Sequence, residues 1–269
     1  MQRTVRIDCF AQGMPHYATG CAIVTVDVVR ATTTAITAVA AGRRCFIAPT
    51  KELAFDLSRR LGNALLAGEQ GGTMPPGFDL NNSPVDLLAR TDLERPVILL
   101  SSSGTRLCHH ASKCSDAVFL ACLRNYSSLA HHLERGNFGH VVVIGAGSRG
   151  EFREEDQMCC AWIAESLIER GYLPEDRRTI EIVERWSKAP ADAWIGGKSA
   201  TYLTASGQDK DLSFILENVD DLTTPFMMQN EEVIMSAELK GQVRDGFERG
   251  AQIVWGHVDT GRPARLLPT

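Results

Sequence analysis

At 269 residues the chain is long enough for one large α/β domain or two smaller ones, and its 44% hydrophobic and 23% charged content suits a globular protein with a sizeable core. A net charge of −5 with no long basic run argues against a nucleic-acid binder, and no apolar run approaches the ~18 residues of a membrane span. The opening MQRTVRIDCF enters strand-like alternation at once, without the apolar run and cleavage site of a signal peptide, so a cytoplasmic protein is expected.

Two strands are predicted around a loop at the start, Arg3–Phe10 and Ala22–Val26. The second opens the stretch Ile23–Gly42, IVTVDVVRATTTAITAVAAG. Asp27 ends the strand, Arg30 and Thr32–Thr34 follow on the turn, and a small-residue helix is predicted over Ala35–Ala41. An ionised Asp at the end of a buried strand is costly unless paired, hydrogen-bonded or metal-bound, and the following helix N-terminus offers an anion cradle. Taken alone, the stretch also fits an Asp27–Arg30 pair with capping threonines. A strand at Arg44–Ala48 and a helix at Lys51–Leu61 with Thr50 as N-cap come next, then a strand at Ala64–Ala67 running into Gly68-Glu69. The loop Gly68–Pro84, GEQGGTMPPGFDLNNSP, has no period and is long enough to suggest function; it carries Glu69, Asp79, Asn81 and Asn82. Ser83-Pro84 then starts a helix over Val85–Ala89.

The same plan recurs twice without sequence repetition. Strand Val97–Leu100 turns through SSSGTR (Ser101–Arg106) into a helix at Leu107–Ala111 and a strand at Ala117–Ala121. After a helix at Asn125–Leu133, strand Val141–Ile144 turns through GAGSRG (Gly145–Gly150) into a helix over Glu154–Arg170, closed by Gly171. Three turns built of small residues, each with an arginine (Arg30, Arg106, Arg149), suggest convergence on a polyanion, because guanidinium forks match phosphate and carboxylate oxygens. No Walker loop or dinucleotide fingerprint is present. In the first turn of the third helix, Asp156 lies over Cys160 and Ala164 and leans toward the core, with Glu154 and Glu155 expected to point elsewhere.

All eight cysteines are expected to be reduced and without chemistry, Cys114 being the one at the surface; no CxxC or Cys/His spacing supports zinc. His109/His110 and His131/His132 read as surface or packing residues. From residue 172 the chain is more polar. It leaves room for a smaller C-terminal subdomain, with helices around Tyr202–Gln208 and Asp211–Asn218 and with Trp186, Trp194 and Trp255 in packing roles. The tail Gly261–Thr269 is expected to be poorly ordered or docked on the surface. Alternating β and α elements predict an α/β fold with a mostly parallel or mixed, covered sheet and a ligand at the strands' carboxyl ends.

Five blocks together give the sequence a resemblance to the 2-phosphosulfolactate phosphatase family: VDVVRATTT at Val26–Thr34, GE at Gly68-Glu69, GFDLNNSP at Gly77–Pro84, SGTR at Ser103–Arg106, and AGSRGEFREED at Ala146–Asp156. A weaker match reaches Ser206-Gly207 and Asp211. Ser103 stands where the family usually has Asn, Asn81 where it usually has Gly, and Cys159-Cys160-Ala161 where it has CAG. The resemblance implies a three-layer α/β/α fold and a Mg²⁺-dependent phosphatase linked to coenzyme M and sulfolactate metabolism. Asp27, Glu69 and Asp156 would hold Mg²⁺, with Asp27 and Arg30 catalytic. Arg30, Thr32, Thr33, Asp79, Asn82, Ser83, Gly104, Thr105, Arg106, Gly147 and Arg149 would bind a small phosphorylated sulfonate or carboxylate. Metal-assisted water attack and a phospho-Asp27 route both fit, and the absence of a DxD pattern at Asp27 favours the first. The alternatives are a phosphatase of another small 2-phospho acid and a non-catalytic protein that binds a phosphorylated metabolite. A homo-oligomer is expected, since apolar helices and isolated tryptophans leave room for an interface.

Overall fold

The computed structural model describes residues 2–10 and 21–236; the expectations for Trp255 and for the tail from Gly261 lie outside them. The chain runs β1 (Thr4–Cys9), β2 (Cys21–Val26), α1 (Ala31–Ala40), β3 (Cys45–Ala48), α2 (Lys51–Leu61), β4 (Leu65–Gly68), α3 (Pro84–Leu88) and β5 (Val97–Leu100). It continues with α4 (Gly104–Cys114), β6 (Val118–Ala121), α5 (Tyr126–Arg135), β7 (His140–Gly145), α6 (Glu154–Glu169) and β8 (Leu173–Pro174). Then follow α7 (Arg177–Trp186), α8 (Lys198–Ala205), α9 (Asp209–Glu217), β9 (Phe226–Gln229) and β10 (Glu232–Met235).

Local chemistry explains several boundaries. Thr50 caps α2 by accepting from Leu53 N at 3.2 Å, and Ser83 caps α3 by accepting from Asp86 N at 3.1 Å. The helix after β2 begins at Ala31, four residues before the predicted start, so Thr32–Thr34 belong to its first turn. Their β-branched side chains obscure a helix signal in the sequence.

The strands form one mixed sheet in the order β4-β5-β3-β10-β9-β6-β2-β7-β1-β8. Parallel pairing holds β4-β5-β3 together on one side and β6-β2-β7-β1-β8 on the other. Between them the hairpin β9-β10 makes three antiparallel pairings, to β3, within itself and to β6. This hairpin was not expected, because FMMQNEEVIM shows neither clean alternation nor a strong turn signal.

The sheet is covered on both faces, which is why its strands read as continuous apolar runs. Along β2 and β7, Ala22, Val24, Val26, Val141 and Val143 face a core shared with α5, α6 and Trp186. Ile23, Val142 and Ile144 face the opposite core, shared with α1 and α4. A third cluster of Phe46, Leu66, Ile98 and Leu100 lies under Ala54 and Leu57 of α2. The architecture is therefore three-layered α/β. Cys114, expected at the surface, is 8% exposed, because α4 runs on past Ala111 and turns that position into the core. All eight cysteines are free and buried.

Candidate active site

A cavity of about 420 Å³ opens where the carboxyl ends of β2, β4, β5 and β7 meet the first turns of α6 and α8. Both parallel sets of strands thus contribute, and the close approach of α4 to α1 brings them together. A Cβ on Gly104 would lie 2.2 Å from Asp27 Oδ2 and 2.6 Å from Ala31 Cβ, so only glycine allows this contact. Gly104, expected to bind substrate, is placed against Asp27 instead.

Asp27 follows β2 and is 7% exposed; its Oδ1 accepts from Ala31 N at 3.2 Å. Asp156 reaches across from α6, with Oδ1 accepting from Val28 N at 2.8 Å and Oδ2 from Gly147 N at 3.3 Å. It thereby ties the turns after β2 and β7 to the helix. Glu155 lines the same cavity and is buried, which corrects the expectation that it points elsewhere. The first turn of α6 lines the cavity together with the start of α8, and two consecutive acids face inward. Only the density of acids in that turn hinted at this.

Glu69, after β4, also lines the cavity. Its oxygens accept from Ser102 N at 2.6 Å, Ser102 Oγ at 2.9 Å and Gly72 N at 2.7 Å, locking the β4 and β5 turns together.

Burial dominates the electrostatics. It raises the pKa of Asp27 to about 7, with the negative charges of Glu69 and Glu155 adding to the effect and the hydrogen bond from Ala31 and the charge of Arg30 opposing it. Burial, Glu155 and Asp27 hold the carboxyl of Asp156 well above the usual range, and burial likewise raises Glu155. Crowded acids of this kind suit a cation. Among the described residues no three acidic, histidine or cysteine side chains converge into a ready-made metal cage. Mg²⁺, however, typically takes only one or two carboxylates and completes its shell with water and substrate phosphate. The Asp27–Asp156 pair fits that requirement, whereas Glu69, expected as a third ligand, has both oxygens engaged by Ser102 and Gly72.

The expected substrate residues divide into two groups. Arg30, Asn82, Gly147 and Arg149 line the cavity. Arg30 is 4% exposed and pairs with Asp211, while the Oδ1 of Asn82 is buried without a partner. Arg149 adopts φ +51 at the mouth. The others face the protein. Thr32 Oγ1 accepts from Asp27 N at 2.9 Å and lies 2.7 Å from Ala121 O, and Thr33 Oγ1 donates to Val28 O at 2.7 Å. Asp79 accepts from Leu66 N at 2.8 Å, Ser83 Oγ donates to Asp211 at 2.7 Å, and Thr105 Oγ1 accepts from Ser101 N at 2.8 Å. Arg106 is exposed and reaches Pro49 O at 3.4 Å, away from the cavity lining.

Residues that the sequence reading passed over complete the wall: Arg153, Lys198, Ser199 and Tyr202. Lys198 pairs with Glu151, which also pairs with Arg153 at 2.8 Å, and Tyr202 donates to Gly72 O at 2.6 Å. Helix α8 thus closes over the site from a region without motif-like chemistry, so no local signal marks it.

In comparison with known proteins, the family model for 2-phosphosulpholactate phosphatase matches residues 10–230. A protein of Pseudothermotoga lettingae is 36% identical over 147 residues, 55% of this chain and 62% of its own length, so that match spans less than two thirds of it. Longer matches join the chain to a Deinococcus radiodurans protein (29% identical, 77% of this chain and 88% of the relative) and to a Thermus thermophilus protein (31%, 79% and 90%). Each of the three carries the name "Probable 2-phosphosulfolactate phosphatase". A family match from residue 10 to residue 230 includes every element that shapes the cavity, and the chain belongs to the 2-phosphosulpholactate phosphatase family of phosphoric monoester hydrolases.

Proposed function

We propose that this chain hydrolyses the phosphomonoester of 2-phosphosulfolactate to sulfolactate and inorganic phosphate, with Mg²⁺ as cofactor. The supporting observation is that buried Asp27 and Asp156 share one cavity with Arg30, Arg149, Arg153 and Lys198. The substrate has three acidic groups, phosphate, carboxylate and sulfonate, so a site for it needs several cations. Asp27 and Asp156 would hold Mg²⁺, which when bound supplies Lewis-acid stabilisation of charge on the phosphoryl oxygens.

The chain's own residues do the rest. Arg30 and the amide of Asn82 donate to the phosphoryl oxygens as charge develops on them. Arg149, Arg153 and Lys198, nearer the mouth, hold the carboxylate and sulfonate. Helix α8, held to Gly72 through Tyr202, forms one wall of the cavity. Attack by water is the preferred route, since Val28 and Val29 leave Asp27 without the second acid of a DxD pair.

The test is phosphate release by the purified protein from 2-phosphosulfolactate and from other phosphorylated 2-hydroxy acids, with Mg²⁺ and with a chelator. Activity on 2-phosphosulfolactate that the chelator abolishes is expected, and Asp27→Asn and Asp156→Asn should each lower kcat by about 10³-fold. Full activity in either variant contradicts the assignment. Preference for another 2-phospho acid corrects the substrate, and binding without turnover would make the protein a receptor for phosphorylated metabolites.

A further inference from the structure

Asp211 lies on the first turn of α9, 2% exposed, and the chemistry described above makes no use of it. Its Oδ2 pairs with Nη1 of Arg30. Its Oδ1 accepts from Ser83 Oγ at 2.7 Å and from Val85 N at 3.3 Å. Just before the helix, Gln208 Oε1 accepts from Asn81 Nδ2 at 3.2 Å. The start of α9 therefore grips two parts of the cavity wall that are far apart in sequence: Arg30 after β2, and the turn that carries Asn82.

Both parts present unused donors to the cavity. Arg30 spends one nitrogen on Asp211, and its other guanidinium N–H groups have no protein acceptor among the described residues. The Asn82 side chain, 2% exposed, makes no hydrogen bond to the protein among them, and its amide nitrogen is free to donate. A buried Arg–Asp pair contributes little net folding energy, because desolvating both charges offsets their attraction. Its distinct effect is to aim a planar fork of donors in one direction.

We propose that Asp211 is a positioning residue that holds Arg30 and the Asn82 turn as a preset pair of donors for a phosphoryl group. The proposal rests on reading the cavity as a phosphate site, and its test separates the two ideas.

Wild type, Arg30→Ala, Asp211→Asn and the double variant are compared by phosphate release, by calorimetric binding of inorganic phosphate with and without Mg²⁺, and by thermal melting to confirm folding. Asp211→Asn should lower kcat by about 10²-fold with a much smaller change in KM, since misplaced donors cost most in the transition state. It should weaken inorganic phosphate by about tenfold. The double variant should fall well short of the product of the two single effects and be worse than Arg30→Ala alone only by the share of the Asn82 turn, because Asp211 acts in part through Arg30. If Asp211→Asn does not fold, Ser83→Ala, which loosens the turn and removes the α3 cap but leaves the Arg30–Asp211 pair in place, should still weaken phosphate by about threefold in a variant that melts as a folded protein.

Wild-type kinetics and phosphate affinity in folded Asp211→Asn, multiplying single effects in the double variant, or no phosphate binding by the wild type would each overturn the proposal. Phosphate binding that depends on Asp211, in a protein that hydrolyses nothing, would uphold it and defeat the phosphatase reading.

Discussion

Three buried carboxylates set the pH behaviour of this site. Because burial raises Asp27 to about 7, with Asp156 and Glu155 raised as well, the folded chain holds protons that an unfolded chain has released from about pH 4 upward. Between those limits the folded state binds more protons than the unfolded one, so stability falls as pH rises through the window. Urea denaturation without divalent ions should therefore show less stability at about pH 8 than at about pH 5, and Asp27→Asn should flatten that slope. Excess Mg²⁺ should flatten it too, since a cation favours the ionised carboxylates. Stability that rises across the window would contradict the crowding described here. At the same scale, Gly104 shows how a motif residue can serve indirectly: it leaves room for Asp27, and in the sequence it looks like any other glycine of a ligand-binding turn.

At the level of elements, the junction of β2 and α1 carries the most structure per residue. Thr32 receives the backbone N–H of Asp27 and reaches Ala121 O at the end of β6, so one hydroxyl sets the direction in which Asp27 leaves its strand. Thr32→Val keeps the shape and removes the hydroxyl, leaving buried polar groups unpaired at a cost of about 1–3 kcal/mol. A drop of that size in unfolding free energy is expected, along with reduced turnover as Asp27 shifts; an unchanged denaturation midpoint would contradict it. The threonine run resembles an anion-facing start because threonines there commonly cap helices or bind anions. The direction of Thr32 depends on β6, an element distant in sequence, while Thr33 turns back to Val28 O. Boundaries governed by local chemistry were easier: α2 spans Lys51–Leu61 as predicted, with Thr50 at its cap.

For the whole molecule, the hairpin β9-β10 is the keystone, since it fills the middle of the sheet between β3 and β6. A chain truncated after Leu222 would lose both strands and expose two unpaired edges in the interior. Such a fragment should show no cooperative thermal transition, as calorimetry can check; a folded fragment would mean that the two strand sets are self-sufficient. The residues alone determined the alternation of strands and helices, the capped helix starts, the turns that carry Asp27, Glu69 and Asp156, and the five blocks of the family. These are properties of short segments, written in apolar runs, caps and turn chemistry. Tertiary structure alone decided that Glu155 joins Asp27 and Asp156, that Arg106 faces away, that α8 supplies Lys198 and Tyr202, and that Asp211 holds Arg30. Each of those outcomes depends on how elements far apart in the chain pack against one another, and local periodicity carries no record of that packing.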